Sequence, residues 1–192
     1  MSASIIAAIV VIIAVECYYF ISETRLRIRT ARGTDNTVDK GTMWLVWIVI
    51  AGCYIFGWLP VILDFGRLVT LGGWLTWIGV AVMISGIVFR RYVIAYLGRF
   101  FTATIQIKKD HELTKTGPYH YLRHPSYLGI LTMTLGLGIA LANWISLILC
   151  IVLPVIGVIQ RIRVEEKELA QHFGKQYQDY MKHTWRIIPF IY

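Results

Sequence analysis

The sequence predicts an all-α integral membrane protein with about five transmembrane helices. Hydrophobic residues make up 57% of the 192-residue chain, charged residues only 16%, and the mean hydropathy is +0.61. Ordinary globular domains carry about 25% charged residues. The apolar residues also fall into runs that approach or exceed the length needed to cross a hydrocarbon core of about 30 Å. The chain is therefore expected to form a single membrane domain, residues 1–192.

Three long apolar runs predict three spanning helices, at residues 5–21, 43–63 and 71–89. The first has the length of a signal peptide. It lacks a basic region before it, however, and is followed by arginines where a cleavage site would need small residues. It is therefore expected to be retained as the first transmembrane helix.

Two shorter apolar runs, residues 127–142 and 144–159, are separated only by Asn143. This arrangement predicts a tight C-terminal helical hairpin. Because both runs are short for full crossing, re-entrant helices or a thinned bilayer are alternatives to two complete spans.

The basic residues lie almost entirely on one side of such a five-span arrangement. Three segments, residues 22–42, 90–126 and 160–192, hold every Lys and Arg except Arg67. Cytoplasmic loops are enriched in Lys and Arg. We therefore expect a multi-pass protein with its C-terminus in the cytosol and its N-terminus on the opposite side.

The net charge of +8 has a membrane explanation. The basic residues are spread over three juxtamembrane segments, where they can contact anionic lipid headgroups. Membrane lipids are expected partners and nucleic acid is not. The three cysteines all lie in apolar runs without the paired spacing of metal ligands. His120 and His124 have i,i+4 spacing, but Pro125 argues against a continuous helix there, so no metal is expected.

The segment at residues 117–129, GPYHYLRHPSYLG, places polar and titratable side chains directly before an apolar run. Proline is favoured in the first helical turn, so a helix is expected to begin at Pro125. Arg123 and His124 then lie just outside its N-terminus. Backbone N–H groups at that end can receive an anion, which makes this segment a candidate ligand site.

A second charged cluster follows the fifth apolar run. An antiparallel hairpin would bring this cluster beside Arg123 and His124. The alternative is a solvated helix face with ion pairs at i,i+3 and i,i+4 spacing. The members of the cluster are Arg161, Arg163, Glu165, Glu166 and Glu168.

Together, GPYHYLRHPSYLG, the short apolar hairpin and RVEEKELAQHFGKQYQDY resemble the isoprenylcysteine carboxyl methyltransferase family and the related membrane phospholipid methyltransferases. The resemblance covers residues 106–192. It implies that residues 1–100 supply N-terminal transmembrane helices and residues 101–192 form a cofactor-binding core with a cytosolic C-terminal helix.

The resemblance implies binding of S-adenosylmethionine and methyl transfer to a lipophilic acceptor at the cytosolic membrane face. An isoprenylcysteine-type carboxylate, on a prenylated protein or small thioether, is the expected acceptor, and a phospholipid is an alternative. The resemblance places six residues around the cofactor: Gln106, Tyr119, His124, Tyr127, Leu128 and Glu165. It assigns Arg123, Arg161 and Glu166 to the acceptor or to fixing the cluster.

Plainer interpretations of the same residues stay open. Arg123 can be an interfacial anchor whose head reaches the lipid headgroups, and the tyrosines of the segment can belong to an aromatic belt. The C-terminal WRIIPFIY resembles the end of NADPH-dependent sterol reductases, so a membrane oxidoreductase is a second hypothesis. A non-catalytic lipid-binding membrane protein is a third.

Overall fold

The structure, a computed structural model, describes residues 3–31, 42–101 and 113–190. Within these ranges the fold is helical. Its elements, in chain order, are α1 (Ala3–Ala31), α2 (Thr42–Ile62), α3 (Trp74–Leu97), α4 (Pro125–Ala140), α5 (Trp144–Phe173) and α6 (Lys175–Lys182). Single 3-10 turns at Gly98–Phe100 and Gly117–His120 flank the connection between α3 and α4.

Among the described residues, three helices are long and apolar enough to cross a membrane: Ala3–Thr30, Trp74–Leu97 and Trp144–Phe173. Val46–Ile62 and Pro125–Ala140 are shorter apolar helices. At about 1.5 Å per residue, the 16 residues of α4 extend about 24 Å. The five apolar runs therefore all fold as helices, while the prediction of five complete crossings stays a prediction.

Three helices continue beyond the apolar runs that predict them. α1 extends past residue 21 to Ala31. α3 extends through Arg90 and Arg91, and α5 extends from its apolar part through the second charged cluster to Phe173. Each continuation carries charged residues out of the apolar layer on a rigid helix. This matters for the site, because a continuous helix fixes their position more firmly than a loop.

A seam of glycines lets α3 and α4 approach backbone to backbone. A Cβ built on Gly86 would lie 2.5 Å from the backbone nitrogen of Met133, and one on Gly136 would lie 2.3 Å from that of Met83. Gly79 and Gly129 are equally crowded. Small residues at such a seam replace side-chain packing with close backbone contact, as is common between membrane helices.

The core joins all five long helices. One buried cluster takes Ile12 from α1, Cys53 from α2, Met83 from α3, Leu137 from α4 and Cys150 from α5. The three cysteines are free thiols. Cys53 and Cys150 lie in this cluster, whereas Cys17 is exposed.

The turn between α4 and α5 is held by Asn143. Its side-chain oxygen accepts hydrogen bonds from the backbone N–H groups of Ile145 (3.0 Å) and Ser146 (3.2 Å), which caps α5. Its amide nitrogen donates to the Phe65 carbonyl at 2.6 Å. The turn is thereby tied to the loop after α2, and the opposite ends of α4 and α5 are left side by side.

Candidate functional site

The segment before α4 begins with a turn that requires glycine. Gly117 has φ of +58°, and a Cβ there would lie 2.4 Å from the ring of Tyr96. The chain then follows the 3-10 turn Gly117–His120 and enters α4 at Pro125, as the sequence predicts. Arg123 and His124 lie between these two elements, just outside α4.

The C-terminal tail, residues 175–190 with α6 at its start, pairs with this segment through the backbone. Arg123 N–H donates to the Trp185 carbonyl (2.8 Å), His124 N–H donates to the Arg186 carbonyl (2.9 Å), and Trp185 N–H donates to the Tyr121 carbonyl (3.0 Å). These three bonds hold the tail against the start of α4. The tail therefore contributes side chains to the same place.

The two predicted clusters meet in a buried ion network around Glu166. Arg123 Nε donates to Glu166 Oε1 at 2.9 Å, and Arg186 Nε donates to Glu166 Oε2 at 2.9 Å. The side chains of Arg123 and Glu166 are only 9% and 8% exposed. Both oxygens of this carboxylate are thus engaged by guanidinium groups, one from the segment before α4 and one from the tail.

Arg123 also binds the tail directly. Its Nη1 donates to the carbonyls of Met181 (3.1 Å) and Thr184, and to the Thr184 hydroxyl (3.3 Å). A guanidinium with this many fixed acceptors is a structural tie between α4, α5 and the tail. The contacts of Glu166 cross to other elements, so the interpretation of a merely solvated helix face does not describe it.

A second set of contacts surrounds Glu165. The Tyr127 hydroxyl donates to Glu165 Oε2 at 2.8 Å, and Arg161 Nε donates to the same hydroxyl at 3.4 Å. Arg161 is 3% exposed, whereas the Glu165 side chain is 30% exposed. Glu165 is therefore the more open of the two neighbouring carboxylates.

Two buried polar atoms beside these carboxylates have no hydrogen-bond partner among the described residues: His124 Nε2 and the Tyr177 hydroxyl. His124 Nε2 lies 3.5 Å from Glu166 Oε1, and His124 Nδ1 lies 3.8 Å from Glu165 Oε1. Neither contact has hydrogen-bond geometry. Burying an unpaired polar atom is costly, so both atoms mark a place where a bound group would supply the partner.

Three tyrosines next to the cluster remain hydrogen-bond donors at neutral pH. Burial raises the pKa of Tyr180 to about 12, although the Arg123 charge opposes the shift. Burial, followed by the charges of Glu166 and Glu165, raises the pKa of Tyr177 well above its usual range. Burial and the Glu165 charge do the same for Tyr119. The Tyr180 hydroxyl donates to the Tyr119 carbonyl at 2.5 Å and so ties α6 to the segment.

Most of the residues that the sequence proposes are therefore close together. Leu128 packs beside Val158 and Ile162 of α5, so it lies on the apolar side of the cluster. Gln106 falls outside the described residues. In the part of the chain that is described, no group of three His, Cys, Asp or Glu side chains could hold a metal ion.

Sequence reasoning missed two members of the site. Tyr177 belongs to the FGKQYQDY run, which served only as a family signature, and its buried hydroxyl carries no sequence signal of its own. Arg186 lies in the terminal WRIIPFIY, which was associated with reductases. Its contact with Glu166 depends on the fold of the tail, and spacing along the chain could not reveal it.

Comparison with known proteins gives this arrangement a family. Residues 77–171 match the model of the isoprenylcysteine carboxyl methyltransferase (ICMT) family. Over these residues the chain is similar to that family. The match includes α4 and most of α5 with its charged residues. It confirms the resemblance that the sequence predicts.

Individual relatives agree with the family match. Protein-S-isoprenylcysteine O-methyltransferase B of Arabidopsis thaliana is 36% identical over 120 residues, covering 62% of this chain and 61% of the relative. The enzyme of that name from Dictyostelium discoideum is 38% identical over 130 residues, covering 67% of this chain and 54% of the relative. The chain thus spans about half to three fifths of the length of these family members.

A solved structure of the eukaryotic intramembrane Ras methyltransferase, isoprenylcysteine carboxyl methyltransferase, has the same fold over the shared part. The TM-score is 0.63 at 30% sequence identity, and the alignment covers 75% of this chain and 52% of that one. With three helices long and apolar enough to cross a bilayer among the described residues, the chain is an integral membrane protein.

Proposed function

We propose that the chain transfers a methyl group from S-adenosylmethionine to the carboxylate of an isoprenylcysteine-type acceptor at the cytosolic membrane face. One observation carries the proposal: the segment before α4, the charged end of α5 and the C-terminal tail converge on Glu165 and Glu166. The segment before α4 and the two glutamates lie within the region of the family match, residues 77–171, whereas the tail follows it. The cluster begins where the apolar parts of α4 and α5 end, which suits a polar donor and a lipophilic acceptor.

The residues present fit this methyl donor. S-adenosylmethionine carries an amino group, ribose hydroxyls and a positive sulfonium, and carboxylates bind such groups by charge-assisted hydrogen bonds. Glu165 is partly exposed and is engaged by Tyr127 through one oxygen. His124 Nε2 and the Tyr177 hydroxyl add two buried atoms that lack partners. We infer that Tyr119, Leu128 and Gln106 complete the donor site.

We infer that Glu166 and Arg123 fix the cluster and do not contact the donor. Both oxygens of Glu166 are occupied by Arg123 and Arg186, and Arg123 is held by three further acceptors in the tail. Glu166 and Arg123 thereby hold the start of α4, the charged end of α5 and the tail in fixed relative positions. Preorganised geometry of this kind is a large part of catalysis in bimolecular reactions.

Arg161 is the residue that we assign to the acceptor carboxylate. It lies one helical turn closer to the apolar part of α5 than Glu165 and contacts the same Tyr127 hydroxyl. A lipophilic acceptor that enters from the bilayer would reach Arg161 before Glu165. Arginine binds carboxylates through two parallel hydrogen bonds, which fixes both position and orientation.

The chemistry requires little from the chain beyond placement. The bound donor supplies an electrophilic methyl group. A carboxylate acceptor is already ionised at pH 7, so no general base is needed. The residues around the cluster hold the acceptor oxygen in line and keep water away from it. Leu128 and the neighbouring apolar side chains of α5 serve the second purpose.

In the proposed topology all five apolar helices cross the bilayer and the C-terminus is cytosolic. The distribution of basic residues supports this orientation, since only Arg67 lies on the other side. Membrane lipids and a prenylated or small lipophilic acceptor are then the partners. The family match favours this function over a sterol-reductase-like oxidoreductase or a non-catalytic lipid-binding protein.

The proposal is tested by a methyl-transfer assay on the protein purified in detergent. Labelled S-adenosylmethionine is mixed with a farnesylated cysteine carboxylate, and base-labile methyl ester is measured. We expect ester formation with the free carboxylate and none with its amide. Equal labelling of both compounds, or transfer only to a phospholipid amine, would contradict the proposed acceptor.

A further inference from the structure

A second buried charged cluster joins α1 to α3 and lies outside the site described above. Arg90 Nε donates to Glu23 Oε1 at 3.1 Å, and Arg90 Nη2 donates to Glu23 Oε2 at 2.7 Å. Both side chains are only 9% exposed. Arg91 Nη2 lies 3.6 Å from Glu23 Oε1. The bidentate pair leaves the Arg90 guanidinium a single orientation relative to α1.

In that orientation the guanidinium nitrogen of Arg90 that does not bind Glu23, Nη1, faces the start of α4. This nitrogen donates to the Ser126 carbonyl at 3.1 Å. Ser126 directly precedes Tyr127, whose hydroxyl holds Glu165. The contact also lies on the glycine seam, where a Cβ on Gly129 would be 2.6 Å from Arg90 Cβ. The Arg90 side chain therefore has little freedom to move away from this carbonyl.

Stability alone is a weak reason for such a pair. A buried ion pair contributes little more to folding than apolar side chains of the same volume would, because both charges must leave water. A bidentate pair does, however, fix direction. Here the direction that it fixes is that of a hydrogen bond to the first turn of α4.

We propose that Glu23 and Arg90 are positioning residues for the donor site, and that α1 is thereby a functional part of it. This inference rests on the proposed function. Glu23 holds Arg90, Arg90 holds the first turn of α4 through the Ser126 carbonyl, and that turn sets the Tyr127 hydroxyl against Glu165. Glu23 lies outside the residues that match the family model, 77–171.

A charge swap separates this role from a structural one. In the Glu23→Arg/Arg90→Glu variant the ion pair can reform, but glutamate at position 90 cannot donate to the Ser126 carbonyl. We expect the swap to recover the thermal midpoint that each single variant loses. Its affinity for S-adenosylhomocysteine should stay weaker than that of the wild type by about tenfold, the loss typical of one hydrogen bond to a charged group.

If the swapped chain does not fold, the Glu23→Leu/Arg90→Met variant replaces it, since an apolar pair of similar volume removes both charges at little cost in stability. Glu16→Gln is the control on the same helix. The Oε1 atom of Glu16 accepts a hydrogen bond from Trp58 Nε1 of α2 at 3.3 Å, and its substitution should leave the affinity unchanged.

The outcomes are distinct. A stable swap or apolar pair with weakened binding supports the inference, and wild-type affinity in either stable double variant overturns it. An equal loss of affinity in Glu16→Gln would also overturn it, because any disturbance of α1 would then suffice. Absence of binding by the wild type would instead contradict the proposed function itself.

Discussion

Glu165 and Glu166 are adjacent in sequence, yet they differ in burial and in hydrogen-bond partners. Glu166 is buried between Arg123 and Arg186, whereas Glu165 is more exposed and bonded through one oxygen to Tyr127. From the sequence both are simply acidic residues of one helix turn. The difference arises from residues that the fold brings in from the tail and from α4.

The first prediction compares the two glutamates. Glu165→Gln should lower the affinity for S-adenosylhomocysteine about tenfold, or ~1.4 kcal/mol, with little change in thermal midpoint. Glu166→Gln should lower the free energy of unfolding by about 3 kcal/mol, because it weakens a buried ion network. Calorimetric titration and thermal unfolding of both variants check this. The reverse pattern would show that the two roles are exchanged.

The second prediction concerns the Tyr177 hydroxyl, which is buried and has no partner among the described residues. Tyr177→Phe removes no hydrogen bond among the described residues, so its stability should be unchanged or slightly raised. Its affinity for S-adenosylhomocysteine should fall severalfold. Tyr180→Phe is the matched control, since it removes the bond to the Tyr119 carbonyl and should cost about 1–2 kcal/mol of stability.

Wild-type affinity in Tyr177→Phe would contradict a role for that hydroxyl in the donor site. A large loss of stability in the same variant would show that the hydroxyl has a structural partner in the folded protein.

At the scale of elements, the start of α4 is held from three directions. α3 contacts it along the glycine seam, α5 through Glu165 and Glu166, and the tail through backbone hydrogen bonds at Arg123 and His124. The site depends on helix ends that are each fixed by a neighbour. Changes far from the charged residues should therefore reach it.

The third prediction tests the seam. A Cβ at Gly136 would lie 2.3 Å from the Met83 backbone nitrogen, so Gly136→Ala should separate α3 from α4 and cost about 1–3 kcal/mol of unfolding free energy. Gly52→Ala on α2 is the control, because its Cβ would meet only the Phe56 ring at 3.7 Å. Equal thermal midpoints for the two variants would contradict the close approach.

Sequence patterns predicted the helices better than their ends. Hydrophobic length locates all five apolar helices, and Pro125 marks the start of α4. The end of α3 lies beyond its apolar run, since the helix continues through Arg90 and Arg91. On this continuation Arg90 pairs with Glu23, which lies on α1.

The sequence predicts those contacts of the candidate site that follow from the helical hairpin alone. The hairpin argument places Arg123 beside the acidic pair of α5, and the structure has that contact. Arg186 and Tyr177 were not predictable, since their positions depend on how the tail after Gly174 folds back. No periodic pattern in the sequence predicts that the tail folds back against the start of α4.

At the scale of the whole molecule, charge and apolar length together predict an orientation in the membrane. The fourth prediction is that Arg67 and Lys182 lie on opposite faces of the membrane. Their side chains are 57% and 68% exposed. In a Cys17→Ser background, single cysteines introduced at each position should react with a bilayer-impermeant thiol reagent from opposite sides of sealed vesicles. Reaction of both from one side would contradict the five-span topology.

The two halves of the chain also act as one unit in the proposed mechanism. The core cluster contains residues from α1 through α5, and Glu23 of α1 is linked through Arg90 to the first turn of α4. The division into N-terminal helices at residues 1–100 and a cofactor-binding core at residues 101–192 stays a prediction about sequence. In the folded chain, contacts cross that boundary.

The central claim is that the cluster around Glu165 binds a methyl donor. Calorimetric titration of the detergent-purified protein with S-adenosylhomocysteine, and separately with NADPH, tests it most directly. We expect saturable binding of S-adenosylhomocysteine, weakened in Glu165→Gln, and no binding of NADPH. Binding of NADPH alone would favour the oxidoreductase hypothesis, and binding of neither would contradict a cofactor site in this cluster.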